Sequence, residues 1–377
     1  MYDLTDFITP VNREEVSGNE LFNDGQLAKN LIIHDREIPD ISGADIVIVG
    51  AEEYRGEGEQ PCERPSAADA VRKQFYPLHY WHDGIRIADI GNIRTGATLA
   101  DSYACMKTVV QELLNLNKTI IIVGGSHDLT LAQYYAYRDL GISVEVSGID
   151  ARIDLRGESK LPNDNFLLEL LTSEPNWVRN YNHIGFQSYF VHPGMLETMD
   201  KLHFDCTRVG KVKEDLEEME PIIRNTHLLS IDIAAIRNSD APANRCSPNG
   251  FSGEEMCQLM RFAGLSSNIS SLGLYGYYPV RDRDELTAKQ LAQMLWYFID
   301  GKNKMKQEAP LSSKSDYNEF NLAFSDVETH FLQSRKTGRW WMRLPDGKFI
   351  ACSRQDYLTA SKNEIPERWF RAVQRTM

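Results

Sequence analysis

Residues 119–128 read T-I-I-I-V-G-G-S-H-D. An apolar, β-branched run of this length closed by two glycines reads as a strand buried on both faces, as in a parallel sheet. The polar Ser126, His127 and Asp128 then stand at its C-terminal end, where open α/β sheets form their ligand crevices. Two later stretches repeat the arrangement: an apolar segment from residue 143 runs into Asp150-Ala151-Arg152-Ile153-Asp154, and 227–232 (HLLSID) ends on Asp232.

Working outward, apolar runs at 44–50, 85–90, 184–187 and 270–275 are spaced as further strands, with helical stretches between them. In 97–117, Leu99, Tyr103, Met106, Val110, Leu113 and Leu114 recur at helical spacing, and the last strong helix is expected over 284–300. The expected fold is a three-layer α/β/α body with a mostly parallel sheet over residues 1–301. Residues 302–315, rich in Lys, Ser and Gln, read as a linker or surface excursion, and 316–377 as a Trp-containing C-terminal extension. Within it, Pro345-Asp346-Gly347 predicts the turn of a hairpin over 339–353, and a short helix is expected at 366–374. Trp340, Trp341 and Trp369 read as aromatics packed on the body rather than as a partner surface. There is no internal repeat or low-complexity tract.

The 377 residues carry 41 Lys plus Arg against 54 Asp plus Glu, a net charge of −13, and no basic tract. Nucleic acid is therefore not an expected partner, since binding phosphates needs clustered positive charge. No apolar run approaches a membrane span, and the first residues lack the basic flank and apolar core of a signal peptide, so a cytoplasmic protein is expected. The six cysteines (Cys62, Cys105, Cys206, Cys246, Cys257, Cys352) show no zinc spacing and read as reduced, structural thiols.

The chemistry is expected at the three strand ends. In extended backbone the spacing of two would point Asp150, Arg152 and Asp154 the same way, so one crevice gathers His127, Asp150, Asp154 and Asp232. Crowded carboxylates raise one another's pKa unless a cation sits among them, and one imidazole with carboxylate oxygens suits a divalent metal such as Mn²⁺. The bland alternatives are helix-capping aspartates and a hydrogen-bonded histidine.

GGSHD, DARID and SID, each after a strand and in this order, resemble the metal-binding signatures GGDH, DAHxD and SxDxD of the ureohydrolase superfamily: arginase, agmatinase and formimidoylglutamase. Residues 230–264 look closest to a formimidoylglutamase-like subgroup. A glycine-containing loop leading to Ala-Val-Arg (56–72) and the strand end Asp89-Ile90-Gly91 agree with it. The resemblance implies metal-dependent hydrolysis of a formimino or guanidino C–N bond by two Mn²⁺ ions. It assigns His127, Asp150, Asp154 and Asp232 to one metal. The other would share Asp150 and Asp232, but its two private ligand positions hold Arg152 and Ala234. The family's Glu-x-Asn-Pro corresponds to Gly276-Tyr277-Tyr278-Pro279, without the carboxylate, and no histidine occurs in 163–171 where arginase keeps a proton shuttle.

Three aspartates, one divalent ion and the Arg152 guanidinium are together neutral, so Arg152 is expected to fork onto Asp150 and Asp232 in place of the second metal. The readings left open are one Mn²⁺ or none, with a two-metal cluster disfavoured. The expected function is a weakly active, remodelled or inactive relative of the family's hydrolases acting on a small amino-acid-like ligand. The alternative is a non-catalytic binding or scaffolding module. No catalytic residue is assigned with certainty, and a homo-oligomer is left open.

Overall fold

The computed structural model describes residues 4–18, 21–59, 65–324 and 327–375. Cys62 and residues 60–64 of the early glycine-containing loop lie outside them. Among the described residues the other five cysteines are unpaired thiols, and no helix is long and apolar enough to cross a membrane.

Ten strands form the main sheet: β1 (Ile8–Thr9), β2 (Leu31–Ile33), β3 (Ile46–Ala51), β4 (Ile87–Ile93), β5 (Thr119–Val123), β6 (Val144–Ile149), β7 (Val178–Phe186), β8 (Asp205–Arg208), β9 (Leu228–Asp232) and β10 (Ser271–Tyr275). Their order is β1-β4-β3-β5-β10-β9-β6-β7-β8, with β2 also on β4. Only β1 runs antiparallel to its neighbour. The strand expected at 184–187 begins earlier, at Val178.

Side chains alternate between two helical layers, as the period of a strand requires. Ile46, Ile48, Ile121 and Val123 pack with Met256, Leu259, Leu291, Leu295 and Phe298 of helices Gly253–Leu265 and Leu286–Met305. Val47, Val49, Ile120 and Ile122 meet Met106, Val109, Val110 and Leu113 of helix Leu99–Asn115 on the other side. Burial on both faces explains why these strands read as continuous apolar runs.

Two features noted in the sequence meet in this body. Helix Ala67–Phe75 carries Arg72, whose guanidinium forks onto Asp89 with both bonds at 2.8 Å and also reaches Asp69, Asn92 and the Gly91 carbonyl. Both partners are almost wholly excluded from solvent.

Helix Leu286–Met305 continues four residues into the stretch expected to be linker. The extension contains more structure than the expected hairpin. β11 (Tyr317–Phe324), β12 (Val327–Ser334), β13 (Trp340–Arg343) and β14 (Phe349–Cys352) form an antiparallel sheet of four, followed by helices Arg354–Ser361 and Glu367–Gln374. β11 and β12 went unread because they are amphipathic and flank Ser325-Asp326 rather than a recognisable turn motif. Trp340 faces inward, stacked on Phe320 and Tyr357, and Trp369 meets Phe324 edge-on. Trp341, on the opposite face, lies against the buried Arg224 guanidinium at 4.3 Å, which also donates to the Trp340 and Cys352 carbonyls. All three tryptophans are thus packed.

Removing one member of a buried ion pair leaves its partner uncompensated. Arg72→Met is therefore expected to cost about 3–5 kcal/mol in a denaturant unfolding experiment. A loss below about 1 kcal/mol would contradict the reading of this pair as a buried structural joint.

Candidate functional site

The sheet order β5-β10-β9-β6 brings the three signature ends together. His127 follows β5 in a short 3₁₀ turn, Asp232 ends β9, and Asp150 and Asp154 follow β6. His127 Nδ1 lies 3.0 Å from Asp154 Oδ2, 3.7 Å from Asp150 Oδ2 and 3.8 Å from Asp232 Oδ2. Among the described residues, His127, Asp150 and Asp154 form the one group whose ligand atoms all lie close enough to hold a metal ion. Asp150 Oδ1 is buried with no hydrogen-bond partner, whereas Asp232 Oδ1 accepts from the Ala234 N–H at 2.6 Å.

The histidine is held from behind. Its Nε2 lies 2.9 Å from Ser230 Oγ, which is 2.6 Å from Thr130 Oγ1, and its backbone N–H donates to Asn163 Oδ1 at 2.8 Å. A ring that donates Nε2–H to Ser230 presents the Nδ1 lone pair to the aspartates, the orientation a metal-ligating imidazole needs. Ser230 and Asn163 were not picked out as site residues; the signal for Ser230 is its place two residues before Asp232.

Arg152 departs from expectation. It makes no ion pair with Asp150, Asp154 or Asp232 among the described residues; it is exposed, with its guanidinium 5.5 Å from the Phe190 ring. The physical reason is local: the backbone bends at Ala151 and Arg152, so the alternation of an extended strand ends at Asp150. Asp150 and Asp154 nonetheless converge on His127, while Arg152 turns to the rim. Ala234 contributes a backbone N–H and no ligand atom from its side chain. Gly276 has a left-handed φ of 77°, and a Cβ there would fall 2.8 Å from Asp232 Oδ1. Arg237 pairs with Asp240 at 2.9 Å, and Asp240 also accepts from the Gly253 N–H, so this pair ties its loop to a helix N-terminus.

Asp150, Arg152, Asp154, Asp232, Ala234 and Gly276 line a cavity of about 210 Å³ that also receives Glu57, Arg245, Cys246, Tyr278 and Arg281. Sequence reasoning missed Glu57, which arrives from the loop after β3, because no motif marks it.

Desolvation pushes the carboxyls of Asp150, Asp154 and Asp232 each up to about 7; Asp154 adds to the rise at Asp150, and Asp150 to that at Asp232. Arg152 pulls Asp154 the other way.

A mostly parallel α/β/α sheet with an imidazole and buried carboxylates beyond its central strands defines an α/β protein with an acidic crevice whose donor set could hold a cation. The chain belongs to the arginase family, whose profile matches residues 44–300. It is 24% identical over 246 residues to a formimidoylglutamase of Staphylococcus aureus, covering 61% of this chain and 77% of that one. Among solved structures it resembles formimidoylglutamase from Bacillus subtilis (TM-score 0.65, 15% identity, 76% of this chain and 95% of that one). It likewise resembles Trypanosoma cruzi formiminoglutamase with Mn²⁺ (TM-score 0.62, 17% identity, 71% and 96%). The family match stops before β11, so the second sheet lies outside it.

In the unfolded chain the three aspartates titrate near the ordinary value of 3.8. The folded protein thus keeps protons that the unfolded chain loses between about pH 4 and about pH 7. That contribution to stability is complete below about pH 4 and disappears as pH rises through about 7. Metal-free protein is expected to melt at lower temperature at about pH 8 than at about pH 5, and Mn²⁺ to raise the melting temperature more at the higher pH. Scanning fluorimetry checks this; equal shifts at both pH values would contradict it.

Proposed function

We propose that the crevice binds one Mn²⁺-like divalent cation through His127, Asp150 and Asp154, with Asp232 completing the set. We further propose that the protein hydrolyses, slowly, the C–N bond of a small amidine bearing a carboxylate. The observation that carries this reading is the unpartnered Asp150 Oδ1 in a buried ring of three carboxylates and one imidazole. An acceptor left without a donor in so acidic a place is satisfied by a cation, and this donor set fits a hard or borderline divalent ion. The residues do not fit a second ion, because Arg152 faces the rim and Ala234 offers no side-chain ligand.

A divalent cation there supplies Lewis acidity toward the amidine and lowers the pKa of water. Ser230 keeps the His127 ring aimed at the aspartates, and Asn163 anchors the backbone N–H of the same residue. Arg152, Arg245 and Arg281 on the cavity wall suit a substrate carboxylate. The formimidoylglutamases among the relatives support a formimino-substituted amino acid as substrate. Half of a two-cation clamp is absent, which supports slow turnover. A binding module without turnover is the second reading, favoured by the same departures at Arg152, Ala234 and Gly276.

Metal analysis of Mn²⁺-loaded protein is expected to give one equivalent per chain, with Mn²⁺-dependent turnover of formimidoylglutamate, arginine or agmatine abolished by Asp154→Asn. Two equivalents would refute the single-cation site, and bound Mn²⁺ without turnover of any of the three would favour the binding module. Arg152→His combined with Ala234→Asp is expected to raise the stoichiometry to two. Ser230→Ala is expected to weaken Mn²⁺ binding by about 10–100-fold in a chelator competition assay, because the imidazole loses its support.

A further inference from the structure

We infer that Glu57, which enters the cavity lining from the loop after β3, is the carboxylate that receives the cationic amidine head of the ligand. The inference rests on the reading of this cavity as an amidine site.

Four carboxylates line the cavity, and three of them, Asp150, Asp154 and Asp232, belong to the cation cluster. Glu57 is the fourth and stands apart from that cluster. Its Oε2 accepts from the Tyr278 hydroxyl at 2.7 Å, and no protein hydrogen bond to Oε1 occurs among the described residues. It also has no ion-pair partner among them. The neighbouring Arg281 stacks over the Tyr278 ring at 3.9 Å and pairs with Glu59 at 3.0 Å instead. A half-buried carboxylate with one oxygen oriented and no direct ion pair among the described residues, only the nearby charge of Arg281, is suited to a cation from outside, and a planar amidinium can meet it with two parallel N–H bonds.

The loop that carries Glu57 is held in place. Arg55 forks onto Glu53 and donates to the carbonyls of Gly96 and Ala97. Gly56 packs so closely on Asp128 that a Cβ there would lie 2.0 Å from its carboxylate. Tyr278, which orients Glu57, packs against Tyr54 with ring centroids 4.5 Å apart and planes tilted by 41°, and the Tyr54 hydroxyl donates to the Tyr277 carbonyl. Position 276 cannot take over the role, because any side chain there would need a left-handed backbone and would displace Asp232.

The test is calorimetric binding of arginine and of its uncharged isostere citrulline to the Mn²⁺-loaded full-length protein at about pH 8, where Glu57, pushed up to about 7 by burial, is ionised. Wild type is expected to prefer arginine. Glu57→Gln should lose about tenfold or more in arginine affinity and most of the preference, with melting temperature and Mn²⁺ binding unchanged, and Glu57→Asp should keep part of the preference. Citrulline bound as well as arginine by wild type, or a preference that survives Glu57→Gln, would overturn the inference. Glu57-dependent binding without hydrolysis of any amidine leaves it standing and removes the hydrolase reading. Hydrolysis indifferent to Glu57→Gln does the reverse.

Discussion

Three aspartates and a histidine are buried beyond the ends of neighbouring central strands, and much of the structure is arranged around holding them there. Negative charges crowded out of water cost several kcal/mol each unless protons or a cation offset them. The parallel sheet makes the crowding unavoidable, since β5, β9 and β6 all deliver their C-terminal ends to one side, with β10 between two of them followed by a glycine. Gly276 leaves room for the Asp232 carboxylate, Ser230, itself bonded to Thr130, fixes the imidazole that faces all three acids, and Asn163 holds the His127 backbone N–H.

The same sheet contains a second buried acid treated in the opposite way. Asp89 is matched by its own arginine, with Arg72 forked onto it and every remaining donor of that guanidinium used on Asp69, Asn92 and Gly91. In the crevice the available arginine turns outward onto Phe190 and leaves an aspartate oxygen unsatisfied. Charge neutralised inside the protein makes a structural joint; charge left open makes a place for something imported. That contrast separates scaffold from site in a chain where both are rich in acid.

The extension is joined to this body through the helix Met219–Asn225, which leads into β9. Arg224 inserts under Trp341 and donates to the backbone of β13 and β14, while Arg368 and Arg371 of the last helix pair with Glu218 and Asp205 of the body. The aromatic residues that stood out in the sequence are thereby accounted for by packing: Trp340 and Trp369 form the core of the second sheet, and Trp341 packs with Tyr317 and Leu332 and against the Arg224 guanidinium of the body.

The parallel α/β/α body was legible because strands buried on both faces leave continuous apolar runs, and His127, Asp150, Asp154 and Asp232 were legible because each directly follows such a run. Local sequence likewise determined the hairpin of β13 and β14, whose Pro-Asp-Gly turn is a short-range signal. β11 and β12 were not legible, since a half-exposed strand is defined by the sheet it joins. Tertiary structure alone decided the direction of Arg152, because a backbone bend after Asp150 reverses what spacing in an extended strand implies. It alone also brought Glu57 to the cavity, since that residue approaches from a loop whose course depends on Arg55, Gly56 and Tyr278 rather than on its own neighbours in sequence.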